Sequence, residues 1–261
     1  MKLRIISLGW GVQSFTLAAM SALGELEPVD YAIHADTTHE SILTYDFAKR
    51  WTFWLMDRDV KVKTVKINHE RLNLIDNGLG WTDIPAYTIT EKGNGQINRQ
   101  CTNAWKIVPM RRWTSEKLLQ WGMTKSPGIV EQWLGISWDE SQRMKESDVK
   151  YITHRWPLIE KRMTRKDCEK WLKKKGLEIP PRSACTFCPY HSTAEWRRIK
   201  DTPADWQEAV EVDRAIRKVR PPYDLFVHPA RIPLEDVDLR TETEKGQLSL
   251  WDDECAGVCG V

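Results

Sequence analysis

The sequence has no apolar run approaching the roughly 18 residues that cross a bilayer, so no membrane span and no membrane partner are expected. It shows no charged and then apolar leader, because Met1 is followed almost at once by the strand-like run Leu3 to Leu8. A cytoplasmic protein is the default expectation. Net charge is almost absent, at +2, which argues against a generic nucleic-acid coat. Two common phosphate motifs are missing from the first glycine-rich turn. No Gly-Lys-Ser/Thr follows it, so it is not a Walker A loop. Ser14 stands where the third glycine of Gly-x-Gly-x-x-Gly would fall, so it is not that fingerprint either. Cysteine is sparse, with six in the chain, and in a cytoplasmic protein this points to metal or redox chemistry before structural disulfides.

What is present is enough for a core. At 261 residues the chain can bury one good core, or one core with an appendage. Its charge is unevenly spread. Lys161, Arg162, Arg165, Lys166, Lys170, Lys173, Lys174 and Lys175 stand against only Asp167 and Glu169, and Arg99 to Lys117 adds a second basic stretch. Such runs are usually solvated faces; the other reading is a polyanion surface. Tryptophan is frequent, at 14 residues, most of them expected in the core and a few able to stack on bases.

Residues 3–22 read as strand, tight loop and helix. Leu3 to Leu8 suits a buried parallel strand, and Gly9 and Gly11 are expected to supply a positive-φ turn with close backbone approach. A helix follows from about Ser14 to a stop at Gly24. A helix N-terminus after a glycine loop offers N–H groups and a positive dipole end to an anion. The alternative is an ordinary strand–helix turn.

Ser7-Leu8-Gly9-Trp10-Gly11-Val12-Gln13-Ser14 resembles the pyrophosphate loop (PP-loop) of the adenine-nucleotide α-hydrolase superfamily, which includes phosphoadenosine phosphosulfate (PAPS) reductases and ATP-dependent sulfurtransferases. The usual form there is Ser-Gly-Gly-x-Asp-Ser. Gly11 and Ser14 fall on matching positions, Gly9 takes the place of the first serine, Trp10 that of a glycine, and Gln13 that of the aspartate. The Gly-x-Gly-Val-Gln-Ser form is similar to that of phage and bacterial PAPS-reductase-like proteins. The resemblance implies an adenine nucleotide, ATP or PAPS, held by Ser7, Gly9, Gly11, Gln13 and Ser14.

Further segments fit in order. Val29 to His34 reads as a second strand running into Asp36-Thr37, similar to the family's Asp-Thr-Gly, so His34, Asp36 and Thr37 become candidates for the adenosine end. Capping of a helix over Ser41 to Met56 is the plainer role for Asp36 and Thr37. Val60 to Ile67 is a third strand, and residues 68–100 read as a loop over the substrate. Arg99 to Pro109 resembles the family's Cys–Lys-Ile-x-Pro segment, with Arg99 and Lys106 able to hold phosphate or sulfate and Lys106 a catalytic candidate. Ile129 to Ile136 is the next strand. Arg143 lies beyond it as a phosphate ligand, or else in a surface ion pair with Asp139 or Glu140. His154 to Ile159 is similar to a Tyr-Pro-Leu-Ile segment, and Thr164 with Asp167 forms a near capping box before another helix.

Cys185-Thr186-Phe187-Cys188 is a Cys-x-x-Cys loop, and with Cys101 and Cys168 it makes four thiols, enough to close a metal site. The alternative for Cys101 and Cys168 is burial as small apolar residues. Zinc and an iron–sulfur cluster both accept four thiolates, and spacing does not decide between them. Sulfur-inserting relatives hold a [4Fe–4S] cluster, so the resemblance implies that cluster, with zinc as the alternative. Glu254-Cys255 near the C-terminus resembles the nucleophilic cysteine segment of PAPS reductases, and Cys259 is an additional thiol.

The expected fold is α/β: a parallel, doubly wound, Rossmann-like (HUP-like) sheet over residues 1–160, then a helical, Cys-containing region and tail over 161–261. The resemblance implies an enzyme of sulfur chemistry. One form is ATP-dependent adenylation and thiolation of a nucleic acid or small molecule, with a thiol or sulfur-donor protein as a partner. The other is reduction of a sulfonucleotide by Cys255 and Cys259. A catalytically inactive nucleotide-binding partner subunit is the non-enzymatic alternative.

Overall fold

Short runs rich in Val and Ile, separated by amphipathic helical stretches, dictate a β–α–β rhythm, and the computed structural model of the chain follows it. The structure describes residues 2–66, 82–240 and 244. Its first elements are β1 (Leu3–Ser7), α1 (Val12–Ala22), β2 (Tyr31–Asp36), α2 (Ile42–Met56) and β3 (Val62–Lys66). Next come a hairpin, β4 (Tyr87–Thr90) and β5 (Gly93–Gln96), and a π-helical turn (Thr102–Ile107) that runs into α3 (Val108–Gln120). Then follow β6 (Val130–Trp133), a 3-10 turn (Trp138–Arg143), β7 (Ile152–Arg155), α4 (Pro157–Glu160) and α5 (Arg165–Lys174). The chain continues with α6 (Thr193–Lys200), α7 (Pro203–Ile216) and β8 (Leu225–Phe226).

These elements form two compact units. The first comprises Met1–Ile67 and Trp105–Ser183. It holds a five-stranded sheet in the order β3-β2-β1-β6-β7, all parallel. Ile5 lies opposite Tyr31 of β2, and Leu3 opposite Val130 of β6. Strand side chains alternate between faces, so each face has its own core. Ile6, Ala32 and Trp133 pack with Phe15 and Leu17 of α1, Phe47 and Leu55 of α2, and Cys168 and Leu172 of α5. Leu3, Ile5, Ile33, Val65, Val130 and Ile152 pack with Leu118, Trp113 and Met110 of α3. Helices thus cover both faces, and the doubly wound α/β expectation holds. Each fully buried Leu, Ile or Phe contributes roughly 1.5–3 kcal/mol over leaving it exposed.

Three local features differ from expectation. The positive φ in the first loop falls on Trp10 (φ 59°), while Gly11 is extended (φ −86°, ψ 170°). A left-handed backbone costs a non-glycine residue roughly 1–2 kcal/mol. Trp10 offsets this by burying its indole among Phe15, His34 and Phe47, with all three ring centroids 6.3 Å away. The division of the chain also differs from a single boundary at residue 160. Cys168 and Leu172 bury α5 against α1, so α4 and α5 belong to the sheet unit. Finally, β7 adds an edge strand where Ile152-Thr153-His154-Arg155 carries only one strongly apolar residue.

The second unit comprises Asn68–Ala104 and Ala184–Val261. Its described residues contain an antiparallel sheet, β5-β4-β8, with α6 and α7. Buried Asp213 of α7 accepts from the N–H groups of Val227 (2.9 Å) and Leu234 (3.1 Å) and pairs with Arg217. No helix among the described residues is long and apolar enough to cross a membrane.

Candidate functional site

In an open parallel sheet, ligands bind beyond the carboxyl ends of the strands, where the strand order reverses. Here that point lies between β1 and β6, the neighbours from which the chain winds outward in both directions. Three pieces of the first unit gather there: the loop from β1 into α1, the loop after β6, and the start of α5.

The loop after β6 is drawn tight onto α1. A Cβ on Gly135 would lie 2.7 Å from the Ser14 nitrogen and 2.9 Å from its Cα, so only glycine fits. Gly11 is the opposite case, since a Cβ there meets nothing within 4 Å. The Ser14 hydroxyl ties the loop by accepting from the Gly9 N–H (3.1 Å) and donating to the Gly11 carbonyl (3.2 Å). Gly11 is the N-cap of α1, yet no side chain caps the helix and no acidic residue sits in its first turn. Among the described residues, its leading N–H groups and positive dipole end therefore carry no side-chain anion or cap.

Gln13 links the three pieces. Its amide nitrogen donates to Glu140 Oε2 (3.3 Å) and Ser137 Oγ (3.5 Å), and its amide oxygen accepts from Arg165 Nη1 (3.2 Å). A carboxamide has a donor end and an acceptor end and satisfies both neighbours; a carboxylate here would face Glu140. Arg143 pairs with Glu140 (2.8 Å), the ion-pair alternative read for it from sequence. Ser7 accepts from Gln132 Nε2 (2.7 Å) and lies on the α3 face beside Met110.

A second polar cluster lies at the carboxyl end of β2. Asp36 Oδ1 accepts from the Thr38 N–H (2.7 Å) and Tyr45 Oη (2.8 Å), and its Oδ2 pairs with Lys66 (3.1 Å). Burial pushes Asp36 up, but these three partners together outweigh it and hold the carboxyl below its ordinary value. Ser41 caps α2, so Asp36 is not that helix's cap. Thr37 is fully buried. His34 is buried beside the Leu8 carbonyl (Nδ1 at 3.2 Å), and that burial lowers its pKa despite Glu40 and Asp36 nearby. Glu40 has a side chain only 1% exposed, held by Lys106 Nζ (3.3 Å) and Ser183 Oγ (2.9 Å). Lys106 thus projects from the π-helical turn into this cluster.

Sequence reasoning missed Glu40, Tyr45, Lys66, Gly135, Arg165 and Ser183. Their signal was positional: Gly135 and Lys66 lie at strand ends, and Arg165 opens a helix.

The other candidates belong to the second unit or, for Cys168, to the core of the first. Arg99 belongs to the second unit, its guanidinium 5.6 Å from the Tyr190 ring centroid. Cys101 is also there, its N–H bonded to the Asp83 carbonyl (2.8 Å). Cys185 and Cys188 form a turn closed by Cys188 N–H to Cys185 O (3.0 Å), with His191 Nε2 2.9 Å from the same carbonyl. Cys168 belongs to the first unit. It sits at 0% exposure in the sheet unit's core and shares a hydrogen bond with Thr16. Burial pushes its thiol up to about 12. Among the described residues no group of three or more His, Cys, Asp or Glu is placed to hold a metal ion. Cys255 and Cys259 lie outside the described residues.

The sheet order and the crevice at its reversal define a Rossmann-like α/β protein. No protein-family model and no curated protein matches the chain. Among solved structures it is similar to the crystal structure of phosphoadenylyl-sulfate (PAPS) reductase from Candida auris in a phosphate complex. That likeness has a TM-score of 0.42 and 13% identity, over 69% of this chain and 76% of that one.

Proposed function

We propose that the sheet unit binds an adenine nucleotide, with its phosphates at the start of α1 and its adenosine toward His34, Asp36 and Thr37. The carrying observation is the uncapped N-terminus of α1, opening at the sheet's reversal point beneath the unobstructed face of Gly11. Backbone N–H groups there can cradle phosphate oxygens, and Arg165 adds a guanidinium within reach of the same turn. Gln13, neutral and held on both sides, keeps a carboxylate out of that turn.

The resemblance of Ser7 to Ser14 to the PP-loop of PAPS-reductase-like proteins supports sulfur chemistry. We favour ATP-dependent adenylation. A substrate oxygen attacks the α-phosphorus, the new O–P bond forms as the bond to pyrophosphate breaks, and the α1 amides stabilise the departing pyrophosphate. A sulfur nucleophile then attacks the activated carbon, and the C–O bond to AMP breaks. Glu254-Cys255 favours the second reading: the Cys255 thiolate attacks the sulfur of a sulfonucleotide, the S–O bond to the nucleotide phosphate breaks to leave a cysteine S-sulfonate, and the Cys259 thiolate then attacks the Cys255 sulfur, forming a disulfide as sulfite leaves.

Titration calorimetry with ATP, PAPS and AMP, followed by product analysis on the full chain, tests this. Pyrophosphate released from ATP supports adenylation, and sulfite released from PAPS supports reduction. Binding without either product identifies a non-catalytic partner subunit. A folded protein that binds none of the three nucleotides overturns the assignment.

A further inference from the structure

The stretch from Trp138 to Lys174, all within the sheet unit, carries chemistry that nucleotide binding does not use. Trp138 opens the 3-10 turn after β6 and remains 47% exposed, unusual for the largest apolar side chain on a turn. Its N–H is bonded to the Met163 carbonyl (2.8 Å), which fixes the turn against the segment leading into α5. The Arg162 guanidinium stands 6.0 Å from its ring centroid. An exposed indole with a cation beside it is a stacking platform.

A basic track runs on from there. Cys168 and Leu172 set the buried face of α5. At 100° per residue, Lys166, Lys170 and Lys173 fall on the opposite face, all three exposed, with Lys174 beside them. Lys166, Lys173 and Lys174 make no ion pair among the described residues, and Lys170 has only a long one to Asp167 (3.7 Å). The acidic neighbours are otherwise engaged. Glu169 pairs with Arg165, Glu140 with Arg143, and Asp139 accepts the Arg165 backbone N–H. The lysine row spans about 10 Å, the scale of successive phosphates on one strand.

We infer that Trp138, Arg162 and the outer lysines of α5 bind a single-stranded nucleic acid, one base stacking on Trp138 and the backbone phosphates following α5. A single strand is favoured over a duplex because an exposed indole needs an unstacked base, and duplex bases present none. The track starts beside Arg165, which touches Gln13 at the nucleotide crevice, so the bound strand lies next to the proposed activation site. Its role as the substrate to be adenylated and thiolated rests on the nucleotide reading above; its binding does not.

Fluorescence anisotropy of labelled 12-mer single strands of RNA and DNA, and of the matching duplex, tests this on the full chain across a salt series. The combined Lys166→Glu, Lys170→Glu and Lys173→Glu variant is expected to bind a single strand at least about tenfold more weakly. Its slope of log affinity against log salt should be shallower by about 2, from roughly 0.7 per lost phosphate contact. Trp138→Ala should weaken binding roughly fivefold or more with the salt slope unchanged, as loss of one stacked base requires. Unaltered circular dichroism and ATP affinity in both variants separate this site from the nucleotide site. Strand binding by a protein that fails to bind ATP would support this inference while removing the nucleotide reading. The inference is overturned if the charge-reversed variant binds like the parent, or if Trp138→Ala changes nothing and duplex binds as well as single strand.

Discussion

Two helices that meet at Gln13 begin in opposite ways. α5 opens with a closed capping box, in which the Thr164 hydroxyl accepts the Asp167 N–H and the Asp167 carboxylate accepts the Thr164 N–H. α6 has the same device, α2 is capped by Ser41, and α3 and α7 carry a proline in their first turn. Among the described helices of this length, α1 starts with no side-chain cap, no proline and no acidic residue. A side-chain cap is worth about 1 kcal/mol, and α2, α5 and α6 each have one. On the proposed reading, its omission at the sheet's reversal point leaves the N–H groups to a phosphate of the nucleotide.

The largest effect should come from breaking the loop that frames α1. Gly135→Val would drive a side chain into the backbone of Ser14, with the nearest atom at 2.7 Å. Overpacking of this kind costs about 1–3 kcal/mol, and nucleotide binding should be lost with the loop. Urea unfolding with parallel ATP titration measures both; unchanged stability would mean that the close approach is not real. Opening α5 should cost less. Thr164→Ala removes the box and should lower stability by about 1 kcal/mol while nucleotide affinity is kept, since that cap faces no ligand. A loss of ATP binding in a folded Thr164→Ala protein would erase the distinction between the two helix starts.

The smallest effect is a pH dependence. Burial lowers the His34 pKa below its unfolded value of 6.5, so the folded state holds the ring neutral. The unfolded chain takes up a proton first as pH falls. His34 therefore contributes stability that is present above 6.5 and is lost as pH drops through that value toward the folded one. Urea midpoints at pH 7.5 and 5.5 should differ more in the parent than in His34→Gln. Equal differences would place His34 in contact with water.

The sheet was legible because Leu3 to Leu8, Val29 to His34 and Ile129 to Ile136 are short runs dominated by apolar residues, of the kind that strands buried on both faces require. The Thr164–Asp167 box was legible from local capping chemistry, and so was a helix over Ser41 to Met56, although its cap is Ser41 rather than Asp36 or Thr37. β7 was not, because an edge strand needs few apolar residues and its pairing with β6 is set by tertiary contact. The hairpin of β4 and β5 was read as loop because Gly93 and Gly95 mask its alternation. Positive φ was expected at a glycine and fell on Trp10, because an aromatic pocket offsets a local strain that sequence alone cannot weigh. Cys168 was read both as a thiol ligand and as a buried small residue, and its helical phase with Leu172 puts it in the core of the sheet unit. The Glu40–Lys106–Ser183 cluster joins residues far apart in the chain, and no local pattern announces it.

The most direct test writes the α5 solution into α1. Gly11 is extended, with open space around its missing Cβ, so Gly11→Asp can place a carboxylate cap on α1 without a clash. Thermal unfolding and ATP calorimetry on this one variant address the claim together. The midpoint is expected to equal or exceed that of the parent, because the helix gains its cap, and ATP affinity is expected to fall at least about tenfold, because the cap takes the N–H groups and repels phosphate. A folded Gly11→Asp protein that binds ATP as tightly as the parent would contradict it.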